Sequence, residues 1–153
     1  MKPEDLFIGA IVQNPLGGIG RVVNIRLIPE DSDGYGGYYL ITLAYSKSGE
    51  SYANIQDKDI RPVSITPEIL EKNGFKKCNE DADGAIQYEF GSKNLGVDIW
   101  TPGSMTESYL LGAWNKWPEC IESYSMINEM PIRYVHQLQA ALRLCGITHE
   151  IQL

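Results

Sequence analysis

The chain has 153 residues, 43% of them hydrophobic and 10% aromatic, with 13 Lys and Arg against 20 Asp and Glu for a net charge of −7. That length and apolar content suit one ordinary domain or two small ones. The acid excess spans both halves, with six basic and eight acidic groups in residues 1–65 and seven and twelve beyond, which counts against a nucleic-acid partner that needs clustered positive charge.

The first sixty residues read as β structure. "AIVQN", "GRVVNIRLI", "YYLITLAY" and the short "SYANI" are apolar or alternating runs, each bounded by Gly, Asn, Asp or Ser turn signals. "PLGGIGRVV" contains G-x-G, but a β-branched run follows it and Val23 stands where a dinucleotide loop has its third glycine, so it reads as a hairpin. "DSDGYGGYY" reads as a longer hairpin loop. This layout, with "IQDKDI" as a 3₁₀ turn before "RPV", resembles the small SH3-like barrels of the Tudor and KOW kind over residues 5–63.

The period changes at "PVSITPEILEKNGFKKC". Thr66 suits a helix cap, Pro67 the first helical position and Gly74 the stop, which predicts a helix over about 67–73 and a second domain over 64–153 after a first of 1–63. "FKKC", "AIQYEFG", "LGVDIWT" and "ESYLLGAW" then read as consecutive antiparallel strands, and "ECIESYSMI" as a further one. A helix over about 132–145 and a terminal strand in "ITHEIQL" complete an α+β reading: an SH3-like barrel followed by an antiparallel sheet with two helices.

Motifs for chemistry are few. "NEDADGAIQYEF" starts like a calcium loop, but its twelfth position is Phe90 where a bidentate glutamate is required, and its flanks read as strands. Cys78, Cys120 and Cys145 are odd in number and form no C-x-x-C, which predicts reduced thiols. There is no G-x-S-x-G, H-E-x-x-H or P-loop lysine, and no cofactor or metal is implied. A small hydrolase or metal-dependent enzyme is the alternative function, and it would have to use His136 or His149, the only histidines.

At 100° per residue the last helix puts Pro131, Tyr134, Val135, Leu138, Ala141, Leu142 and Cys145 on one arc, the expected core face. Arg133, His136, Gln137, Gln139 and Arg143 project opposite, a face with no acid on an acidic protein. Arg133, His136, Gln137 and Arg143 are therefore the candidate contacts for an acidic partner, and Trp114 and Trp117 of "GAWNKWPE" are candidate exposed anchors.

"ITPEILEKNGFKK" with "YVHQLQAAL" and a short apolar tail resembles a group of bacterial proteins often associated with phage or mobile elements. Ala140 and Ala141 stand where that group often has Asn and Leu. The resemblance implies the same architecture and brings no activity. With no run of the ~20 apolar residues that a spanning helix needs, and no basic-then-apolar leader, the sequence predicts a cytoplasmic, non-enzymatic protein-binding or assembly module without membrane contact. Its expected partner is another protein or a second copy of itself. Nucleic-acid binding through the barrel ranks third.

Overall fold

The computed structural model describes residues 6–45, 51–91, 95–103, 108–115 and 127–153. It is an α+β protein with two five-stranded antiparallel sheets and two helices. The chain divides into two compact units, Met1–Val63 and Ser64–Leu153.

The first unit contains β1 (Ile11–Gln13), β2 (Ile19–Ile28), β3 (Tyr38–Ala44), β4 (Tyr52–Gln56), a 3₁₀ turn at Asp57–Asp59 and β5 (Arg61–Pro62). They assemble in the order β4-β3-β2-β1-β5. Among the described residues no ladder joins β4 to β5.

Leu6, Ala10, Val12, Val22, Ile41, Leu43 and Ile60 form its core. Val22 points in and Val23 stays exposed, as alternation along a strand requires, and the bulge between Val22 and Asn24 shifts the pattern so that Asn24 is also exposed and Ile25 returns to the core. Gly20 is required where β2 passes β3, because a Cβ there would lie 3.0 Å from the Cβ of Leu43.

The second unit opens with α1 (Pro67–Lys72), followed by β6 (Lys76–Glu80), β7 (Ile86–Gly91), β8 (Leu95–Trp100), β9 (Tyr109–Asn115), β10 (Ile127–Ile132) and α2 (Val135–Leu144). Thr66 caps α1 by accepting from the Ile69 N–H at 3.3 Å, and Gly74 ends it at φ +81°. The strands run as a meander, β10-β9-β8-β7-β6, as successive hairpins require. Tyr88, Val97, Ile99, Leu111 and Ile132 line its buried face.

Three expectations are corrected here. The last helix begins at Val135 and not near residue 132, because β10 runs through Pro131 to Ile132. Proline is tolerated there since β10 is an edge strand that can lack one N–H. Gln137 then starts the helix, its Oε1 accepting from the N–H groups of Arg133 at 2.8 Å and Tyr134 at 3.2 Å.

The terminal segment, residues 147–153, is not a strand. Its side chains do alternate, with Thr148 and Glu150 exposed and Ile151 buried, but side chains satisfy its backbone in place of a neighbouring strand. Asn73 bonds both backbone groups of Gln152, and the Lys72 ammonium donates to the Leu153 carbonyl. The strand expected in "ECIESYSMI" lies outside the described residues except for Ile127, which opens β10.

The third correction concerns His136, expected on the outer face of the last helix. It is 3% exposed, and Gln139 is equally buried. The packed arc of α2 therefore takes in Val135, His136, Leu138, Gln139, Ala141 and Leu142. The His136 ring stacks on Tyr134 with centroids 5.7 Å apart and planes within 10°.

Candidate functional site

The four candidate residues of the last helix do not form one outward patch. Arg133 precedes α2 and donates from Nε to the Ser108 hydroxyl at 2.8 Å. Gln137 is committed to the helix start and His136 to the packed arc. Arg143 remains exposed in the last turn, next to Leu144 at 86% exposure. Trp114 lies in β9 opposite Gly96 of β8, and Trp117 lies outside the described residues.

The enzyme alternative would use His136 or His149. His149 packs its ring on Phe90 at 4.7 Å, and among the described residues its buried Nε2 has no hydrogen-bond partner. Cys78 sits on exposed β6, where its thiol donates to the Lys76 carbonyl at 3.2 Å. Desolvation first, and then the Glu89 carboxylate, push that thiol up from its ordinary value, the opposite of an activated nucleophile. Burial likewise raises the Cys145 thiol. Among the described residues no three His, Cys, Asp or Glu side chains gather closely enough to hold a metal ion.

The calcium-like loop is a hairpin turn, and the same turn occurs twice. In "DADGA" the Asp81 Oδ1 accepts from the N–H groups of Asp83 at 2.9 Å and Ala85 at 2.8 Å, with Gly84 at φ +81°. In "DSDGY" the Asp31 Oδ1 accepts from Asp33 at 3.0 Å and Tyr35 at 2.8 Å, with Gly34 at φ +81°. The aspartates that resembled ion ligands instead hold their own loops, a local competition natural to short acidic side chains.

What the sequence reading missed is the apolar surface of the first unit. The β1–β2 turn is fixed by Asn14, whose Oδ1 accepts from Leu16 N at 2.9 Å and Gly18 N at 2.8 Å while its Nδ2 donates to the Tyr45 hydroxyl at 2.8 Å. The Asn14 and Gly17 N–H groups close the turn on Gly18 and Asn14 carbonyls, and Gln13 Nε2 donates to the Gly17 carbonyl. At the apex of this well-held turn Leu16 is 95% exposed. On the β2–β3 loop Tyr35 is 77% exposed. The only signal for either in the sequence is an apolar residue between turn formers.

No family model, curated protein or solved structure matches the chain. Among the described residues no helix is long and apolar enough to cross a membrane.

Proposed function

We propose that the protein is a non-enzymatic binding module whose first unit is an SH3-like fold that engages a partner protein through apolar side chains held outside its core. One observation carries this reading. Among the described residues, eight large apolar side chains are exposed and seven of them, Ile8, Leu16, Ile19, Val23, Leu27, Tyr35 and Tyr52, belong to the first unit. These seven side chains leave apolar contact area outside the core of the first unit, which a partner can bury. The strand order and the 3₁₀ turn before β5 support the SH3-like assignment.

Preorganisation supports the role of Leu16. A turn already fixed by its own hydrogen bonds loses little conformational freedom on binding, so more of the leucine's burial survives as affinity. The test places a photoactivatable benzoylphenylalanine at Leu16, at Tyr35 and, as a control, at exposed Lys58, with cross-linking in the native host. A discrete common adduct from positions 16 and 35, absent from 58, is the expected result. Equal labelling from all three positions, or none, removes the reading.

A further inference from the structure

Asn73 is the one asparagine of the chain that a glycine follows. In such a pair the Gly74 amide nitrogen can attack the side-chain carbonyl carbon of Asn73, because the glycine has no Cβ to hinder the approach. The N–Cγ bond forms, the Cγ–Nδ2 bond breaks, and ammonia leaves with the proton that Gly74 gives up. Water then opens the resulting succinimide at either carbonyl, which yields an aspartate or an isoaspartate.

The folded chain keeps the two reacting groups from turning toward each other. Asn73 is 3% exposed. Its Nδ2 donates to the Ile69 and Gln152 carbonyls and its Oδ1 accepts from the Gln152 N–H, each at 2.7 Å. The Gly74 N–H is itself committed to the Glu71 carbonyl at 3.0 Å. Two of the three bonds on the Asn73 side chain thus come from Gln152, in a terminal segment that forms no strand and is seated by buried Ile151. Lifting that segment frees the Asn73 side chain and admits water in the same step.

We propose that Asn73–Gly74 is a deamidation site gated by the terminal segment, and that reaction there makes release of the segment one-way. The product cannot restore the clasp. A carboxylate in place of the amide has no hydrogen to donate, so it meets the Ile69 and Gln152 carbonyls as acceptor against acceptor. The isoaspartate form also inserts a backbone carbon into the turn where Gly74 and Phe75 donate to Glu71 and Leu70. What remains is an open seat in the second unit where Ile151 had been, independent of whatever the first unit binds.

The experiment is a time course of the full chain at neutral pH, followed by mass spectrometry of the peptide that contains Asn73. The synthetic hexapeptide of residues 71–76 sets the unprotected rate. The native chain is expected to react at least about tenfold more slowly, because reaction waits on local opening. Ile151→Ala, which empties the seat, and Gln152→Pro, which removes the N–H that Asn73 accepts, are expected to recover most of the hexapeptide's rate. Val97→Ala weakens the same unit from within its sheet and is expected to stay near the native rate. Circular dichroism verifies that each variant folds. Asn73→Asp carries the carboxylate of the product and is expected to speed amide exchange at Gln152. A native chain that reacts like the hexapeptide overturns the proposal, as do two tail variants that both react like the native chain. A Val97→Ala rate equal to that of Ile151→Ala also overturns it, since general unfolding would then be the gate. Native-like exchange at Gln152 in Asn73→Asp overturns the one-way release.

Discussion

Asn73 and Gln152 bond each other in both directions: the Asn73 Nδ2 donates to the Gln152 carbonyl and the Gln152 N–H donates to the Asn73 Oδ1, each at 2.7 Å. The same Nδ2 also donates to the Ile69 carbonyl at 2.7 Å. One buried amide at the end of α1 thus does for the terminal segment what a neighbouring strand would do. It keeps Ile151, 1% exposed, in the core. Asn73→Ala leaves the Gln152 backbone groups without these partners and is expected to destabilise the second unit by about 2–3 kcal/mol. Chemical denaturation measures the loss, and amide exchange at Gln152 should accelerate more than at Val97. Unchanged stability would show that the tail is held without Asn73.

Cys78 combines exposure with a raised thiol pKa. Desolvation is the larger cause, and the Glu89 carboxylate adds to it by hydrogen bond and by charge. Since the thiolate is the reacting form, alkylation by iodoacetamide at neutral pH should be slower than that of a free small thiol. Glu89→Gln removes the charge and should speed labelling several-fold, read by mass spectrometry of the Cys78 peptide. Native labelling at the rate of a small thiol, with no response to Glu89→Gln, would contradict this picture.

Tyr88 sets an alkaline limit. Its phenol is pushed up by burial first and then by Glu71, whose Oε1 accepts its hydroxyl at 3.1 Å. Below the ordinary phenol pKa of about 10 both folded and unfolded chains hold this proton, and the stabilisation is complete. Above it the unfolded chain releases the proton while the folded chain keeps it, so stability falls as pH rises through the folded value. Tyr109, raised mainly by burial, adds to the same loss. Denaturation midpoints should therefore drop above about pH 10, and less steeply in Tyr88→Phe. Equal slopes in the two proteins would assign the effect elsewhere.

Two glycines of one loop separate conformational strain from collision. Gly34, at φ +81°, has nothing within 4 Å of an added Cβ, whereas at Gly36, φ +109°, that atom would run into the Pro29 carbonyl. Gly34→Ala should cost the first unit about 1 kcal/mol, the price of the left-handed backbone alone. Gly36→Ala should cost about 3 kcal/mol or more, because the loop must also open. Thermal unfolding of the two variants side by side decides it.

Local rules made the elements legible. Thr66, Pro67 and Gly74 located α1, and the Asp-Gly turns separated the strands, because caps and turns are decided by residues within four positions. What failed was decided across the chain. The alternation in "ITHEIQL" predicts a terminal strand, but whether its backbone meets a strand or the Asn73 amide depends on a residue 79 positions away. Leu16 escaped notice because exposure at a turn apex has no pattern of its own.

The outer face assigned to the last helix fails for a related reason, and the failure is testable. A helical projection finds the centre of the apolar arc but not its width, which neighbouring elements set. Here the packed arc extends to His136 at 3% exposure, while Arg133 and Arg143 stay outside. His136→Ala should destabilise the second unit by about 2–4 kcal/mol through the cavity and the lost stack on Tyr134. Reversing Arg133 and Arg143 to Glu should change stability by less than about 1 kcal/mol, because exposed polar contacts contribute little. If the arginine variant is the less stable of the two, the helix is carried by its charged side and the packing described for His136 is wrong.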